Sequence, residues 1–159
     1  MDAQAVQLLS HLWRGGDFAY WYGIDEVRTF YNERTKRDEP CKRSDWFPTQ
    51  KMGILPYGKT LHIYFGVNPS TEQRKPWQRA TIPTIAAINC LFGEVDAKHF
   101  TDGIQGVRSH VNRLDPQPSV TVFSGGGLHC YWLLHAPFVL NDENRDATSA
   151  LSSGPPAAG

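Results

Sequence analysis

Three consecutive glycines, Gly125-Gly126-Gly127, stand between two short β-prone runs, Ser119 to Phe123 and Leu128 to Leu134. Glycines permit positive φ and a tight reversal, so the flanking runs read as an antiparallel hairpin. Upstream, Phe100, Ile104, Val107, Val111 and Leu114 recur at spacings of four and three, one face of a helix that stops before Asp115-Pro116 and Pro118. Before it, Ile85 to Val95 is mostly apolar and runs into Asp96. It reads as a buried strand, its first half being equally compatible with a short helix. Strand, helix, strand, strand is the first two-thirds of a ferredoxin-like βαββαβ unit. The right-handed crossover and the hairpin place the third strand between the first two and antiparallel to both. The ends bearing Glu94, Asp96, Ser124 and His129 are then expected to meet at one edge of the sheet.

Residues two apart on a strand project to the same face, so Glu94 and Asp96 present two carboxylates side by side with Val95 behind them. Paired carboxylates suit Mg²⁺ or Mn²⁺, which keep positions open for substrate phosphates. Amides of Gly125, Gly126 and Gly127 can form an anion-binding concavity, with the Ser124 hydroxyl and the His129 imidazole as side-chain donors. Lys98, two residues past Asp96, adds a phosphate-binding cation. Each feature also has a plainer reading: a solvated strand edge for the acids, a glycine hairpin with a core histidine for the turn, and a surface lysine. The case for a site is that the derived topology brings them together.

The remainder of the chain is less specific. Val6, Leu9 and Trp13, joined by Leu8 and Leu12, give an amphipathic first helix, with Asp2 as a cap and Gly15-Gly16 as a stop. Residues 17–57 mix aromatics and charge without a clean period. Leu61 to Val67 is a strand closed by a turn at Asn68-Pro69. With 159 residues the chain suits one domain, and 16 Lys+Arg against 16 Asp+Glu leave no bulk field to draw a polyanion. Nucleic-acid contact would rest on local patches: Arg28 through Arg34, Lys36, Arg37, Lys42 and Arg43, and Arg74, Lys75 and Arg79. Such runs are also what solvated loops carry. Trp46, Phe47, Tyr64 and Trp77 can stack bases or fill a core. Cys41, Cys90 and Cys130 show neither disulfide nor zinc spacing, and no secretory leader or long apolar run occurs, so a cytoplasmic protein without membrane contact is expected.

The segments Tyr64-Phe65-Gly66-Val67-Asn68-Pro69, Leu91-Phe92-Gly93-Glu94-Val95-Asp96-Ala97-Lys98, and Pro118 to Phe123 leading into Ser-Gly-Gly-Gly-Leu-His-Cys-Tyr-Trp-Leu-Leu have a joint counterpart. Over roughly residues 8 to 140 the chain resembles the bifunctional primase-polymerase domain of the archaeo-eukaryotic primase superfamily. The resemblance implies an α+β fold, an N-terminal αβ part plus an incomplete RRM/ferredoxin-like βαββ catalytic sheet. It implies a DNA primase/polymerase, a template-dependent nucleotidyltransferase serving a phage, plasmid or other mobile element. Glu94 and Asp96 would match the acidic pair that binds two Mg²⁺ or Mn²⁺ ions. Ser124 and His129 would match the motif that holds the incoming nucleotide's triphosphate. The partners implied are dNTP or NTP, a single-stranded DNA or RNA template and a replicative helicase.

The chain departs from the family's pattern downstream. A third acidic residue, followed by an Arg-Leu-Pro-Gly-Thr and an Asn-x-Lys type segment, has no counterpart; Asp142 and Asp146 are the nearest substitutes. Residues 141–159 read as a disordered tail after a catalytic domain at 1–140, and a C-terminally truncated product is expected. The alternatives are a non-catalytic remnant that binds nucleotide or single-stranded nucleic acid, and an unrelated α+β domain.

Overall fold

The computed structural model describes residues 3–51 and 61–145 and is an α+β fold with two antiparallel sheets. The chain divides into two compact units, Met1–Ala87 with Val139–Gly159, and Ile88–Phe138. Asp2, Asp146 and the tail from 146 onward lie outside the described residues, as do residues 52–60.

In the first unit, α1 (Ala3–Leu12) buries Leu9 and Leu12, as its apolar spacing predicts. Trp13, just past the helix, sits in the middle of the core. Its indole packs edge-on against Trp21 and Phe47, both at 5.3 Å, and donates a 2.7 Å hydrogen bond to the Gly66 carbonyl. The sheet beside it has the order β2-β1-β3, formed by β1 (Phe18–Asn32), β2 (Arg37–Pro48) and β3 (Leu61–Phe65). The long β1–β2 hairpin occupies the stretch without a clean period. Aromatics stand on both of its faces: Ala19 and Trp21 are buried on one, and Tyr20 is buried on the other. That two-sided burial removes the alternation by which strands are recognised. Its tip also lacks glycine, and Lys36 takes the left-handed conformation instead, at φ 54°. Asn32 stabilises the tip by accepting hydrogen bonds on Oδ1 from the Arg34 and Thr35 amides. Residues 141–145 form a turn held by Asn141 Oδ1, and Arg145 donates to the Ile82 and Ile85 carbonyls at 2.8 Å each.

The second unit follows the derived topology. A 3₁₀ turn at Ile82–Thr84 ends before Ile85, and β4 (Ala87–Asp96) follows, so the stretch from Ile85 is a strand and the short-helix alternative for its first half falls away. After a second 3₁₀ turn (Ala97–His99) come α2 (Ile104–Val111), β5 (Val120–Phe123) and β6 (Gly127–Val139). β6 runs five residues beyond the expected Leu134. The strand order is β4-β6-β5, with the last strand in the middle. β5 and β6 pair antiparallel, Val122 opposite His129. β6 also runs antiparallel to β4, since its start at Gly127 abuts Val95 and Asp96 while Tyr131 lies beside Phe92. Val107, Val111, Leu128 and Cys130 form the core, with Val95, Phe100, Ile104, Leu114 and Trp132 around it. All five residues of the stripe therefore pack into one core, although Phe100 precedes the helix and Leu114 follows it.

The three glycines divide the work. Gly125 turns the chain, with φ 95°, at the first position of a two-residue loop closed by the Ser124 amide on the Gly127 carbonyl at 3.0 Å. Gly127 is instead required by contact, because a Cβ there would run into the Val95 carbonyl and the Asp96 Cα. Gly126 faces open space. Gly127→Ala is therefore expected to destabilise the unit by about 1–3 kcal/mol through overpacking against backbone, whereas Gly126→Ala leaves the denaturation midpoint nearly unchanged. Chemical denaturation of the two variants checks this, and equal midpoints would remove the contact as the reason for Gly127.

Candidate functional site

Strand alternation sets the site. Val95, Leu128 and Cys130 turn toward α2, so Glu94, Asp96 and His129 lie on the opposite face of the sheet. There His129 Nε2 stands 3.6 Å from Glu94 Oε1, with the imidazole about one-third exposed and Glu94 about 60% exposed. That separation is beyond a hydrogen bond. It leaves both groups accessible to a third party between or above them.

Asp96 ends β4 and also caps the following 3₁₀ turn, its Oδ1 accepting from the Lys98 amide at 3.0 Å. Its Oδ2 meets Lys98 Nζ at 2.6 Å. The Lys98 ammonium, followed by the Lys98 amide, holds the Asp96 carboxyl below the usual carboxylate range. Reciprocally, Asp96 holds the Lys98 ammonium above its ordinary value, with Glu94 adding to the same effect. Glu94, Asp96, Lys98 and His129 thus form one cluster of alternating charge capacity. Among the described residues no three His, Cys, Asp or Glu side chains are placed to hold a metal ion on their own. The cluster offers two carboxylates on one sheet face.

The glycine turn adjoins this cluster through backbone. Ala97 donates its amide to the Gly126 carbonyl at 2.9 Å, tying the end of β4 to the start of β6. Ser124, expected as an anion donor, stands exposed at the start of the turn. Its hydroxyl is engaged within the turn, donating to the Gly127 carbonyl at 3.3 Å. Gly125 and Gly126 are exposed and keep their approach open.

Phe92 was not singled out by the sequence, yet it shares the Glu94 face two residues earlier on β4. Its ring is 62% exposed and lies at 25° to Tyr131, centroid to centroid 6.4 Å. Counting back by two from Glu94 is the signal that finds it. Cys90, on the same strand parity, is a different matter: burial pushes its thiol up to about 11, so it remains protonated near neutral pH and is no nucleophile.

Within the expected basic run on the hairpin, three cations pair locally, Arg28 with Asp25 at 3.8 Å, Lys36 with Glu33 at 2.8 Å and Arg43 with Asp45 at 2.6 Å. Among the described residues, no helix is long and apolar enough to cross a membrane. No family model, curated protein or solved structure matches this chain.

The Asp96–Lys98 pair has a signed pH dependence. Because the folded Asp96 pKa is lowered, its contribution is present above the unfolded value near 3.8 and is lost as pH falls through the folded one. Because the folded Lys98 pKa is raised, its contribution is present below 10.5 and is lost as pH rises through the folded value. Carboxyl-carbon NMR titration should give an Asp96 midpoint below 3.8, and Lys98→Ala should move it upward. A midpoint indifferent to that substitution would contradict the pairing.

Proposed function

We propose that this chain is a template-dependent nucleotidyltransferase of the primase-polymerase type, with its centre on the open face of the β4-β6-β5 sheet. It would use dNTP or NTP, a single-stranded template and Mg²⁺ or Mn²⁺, in the replication of a phage, plasmid or other mobile element. The observation that carries this reading is the approach of His129 to Glu94, beside Asp96 and next to the glycine turn. The strand order β4-β6-β5 supports the primase-like reading of the fold, since it is the order a βαββ catalytic sheet requires.

The donor set fits a hard divalent cation as far as two carboxylates go. Both are oxygen ligands on one face, and Asp96 is kept ionised by its surroundings. A bound ion would supply activation of a 3′-hydroxyl and neutralisation of the leaving pyrophosphate. Glu94 and Asp96 serve as its protein ligands. Lys98, held protonated by Asp96, is a cation that can pass from the carboxylate to a phosphate oxygen once Asp96 is otherwise engaged. His129, accessible at the sheet face, donates a hydrogen bond to the triphosphate and acts as a phosphate ligand, with no role as a general base.

A second reading is favoured by the Asp96–Lys98 pair itself. An internal ammonium at 2.6 Å already neutralises one of the two carboxylates, as suits a non-catalytic module that binds nucleotide or single-stranded nucleic acid. The two readings separate in one assay. With Mn²⁺, a primed and an unprimed single-stranded template and labelled nucleotides, the protein should incorporate label. Glu94→Gln or Asp96→Asn should lower incorporation by about a hundredfold or more, while His129→Ala should raise KM for nucleotide more than it lowers kcat. Undiminished activity in both carboxylate variants would refute the catalytic reading. Nucleotide binding with no incorporation would establish the second.

A further inference from the structure

The β2-β1-β3 sheet has a second face, turned away from Trp13 and α1, where cations and aromatics interleave. Strand register places Ser44, Tyr22 and Tyr64 in one row across the three strands. Adjacent strands lie about 4.8 Å apart, so the row spans about 10 Å. The segment 74–81 lies along it. Trp46 donates from its indole nitrogen to the Gln78 carbonyl at 3.0 Å, and the Ser44 amide donates to the Pro76 carbonyl. This anchoring sets the Arg79 guanidinium over the Tyr22 ring, 5.0 Å from its centroid, and Lys75 Nζ 5.9 Å from the Trp77 ring. Tyr22 in turn lies 6.4 Å from Tyr64.

One ring of this row and one on the segment beside it are exposed, which is unusual for a sheet that packs a core. Trp77 is 64% and Tyr64 50% exposed. Lys42, in the next row on the same face, is exposed as well, as are Lys75 and Arg79. Lys75 and Arg79 ion-pair with no carboxylate among the described residues, whereas neighbouring Arg74 is taken up by Glu72 at 3.8 Å and by the Arg79 carbonyl. Two rings open to solvent, Tyr64 and Trp77, with exposed cations beside them, meet the two requirements of an unpaired polynucleotide, a π-face for a base and a positive charge for a phosphate. A duplex keeps its bases stacked inside and would leave the rings without partners.

We propose that this face binds single-stranded nucleic acid, with Tyr64 and Trp77 stacking bases and Lys42, Lys75 and Arg79 meeting phosphates. The proposal gives the single-strand binding of the readings above a surface of its own, and it stands without nucleotidyl transfer, because neither Glu94 nor Asp96 takes part.

Fluorescence anisotropy of labelled dT and rU oligonucleotides, about 20 nucleotides long, titrated with the full chain provides the test. The unmodified protein should bind both single strands and bind the corresponding duplex more weakly. Tyr64→Ala with Trp77→Ala should weaken single-strand binding by about tenfold or more. Lys42→Glu with Lys75→Glu should make the log–log salt dependence shallower by roughly 0.7 per lost phosphate contact. Circular dichroism confirms that each variant is folded, and the single variants serve if a double one is not. Glu94→Gln should bind the oligonucleotides like the unmodified protein even if it abolishes incorporation, so failure of one proposal is distinguishable from failure of the other. No measurable binding of either oligonucleotide, a preference for duplex, or unchanged affinity in the folded aromatic variants would overturn the assignment.

Discussion

The backbone of Gly127 lies against the Val95 carbonyl with no room for a side chain, and the hydrogen bond from Ala97 to Gly126 follows directly from that approach. Together they hold the first residues of β6 against the last residues of β4. Strand alternation then does the rest. Leu128 and Cys130 enter the core with Val107 and Val111, and the residue between them, His129, must emerge on the far face beside Glu94. A one-residue slip of β6 would exchange these positions, burying an imidazole and exposing Leu128 and Cys130. The contact at Gly127 and the apolar identity of its neighbours enforce the same register from two directions.

The same geometry sets the electrostatics of the open face. Two carboxylates a strand pleat apart repel each other, and here the chain supplies a compensating ammonium from Lys98. The pair is exposed, so its worth to stability is small and screened by solvent. Its consequence is for occupancy. A group that approaches Asp96 as a cation must displace Lys98, and the displaced ammonium then stands beside Glu94 and whatever anion accompanies the newcomer.

Much of the second unit was legible in the sequence because each of its signals has a single physical source. The stripe from Ile104 to Val111 is a helix face, the three glycines are a reversal, and the order of elements leaves one strand arrangement. What the letters did not convey was how the glycines differ. Gly125 is needed for its φ and Gly127 for a tertiary approach, and only the second depends on a residue thirty positions away. The local partner of Ser124 was equally invisible, since a hydroxyl at a hairpin start has a carbonyl of its own turn within reach. The β1–β2 hairpin was illegible because Tyr20 and Trp21 are both buried, on opposite faces, and because Lys36 rather than glycine provides the left-handed turn.

A formal charge of zero says little about how cations are distributed. On the hairpin, Arg28, Lys36 and Arg43 each find a carboxylate two or three residues away, so their fields collapse within the segment that carries them. Segment 74–81 is different because its backbone is committed elsewhere, to Ser44 and Trp46 on β2. Two of its cations, Lys75 and Arg79, rest on rings, where a π-face gives modest attraction and leaves the outer side of the charge open. A chain balanced in total can in this way keep a short positive line on one sheet face. Because that line offers few phosphate contacts, any affinity it confers must draw as much on stacking as on charge, and it should survive moderate salt better than a purely basic patch would.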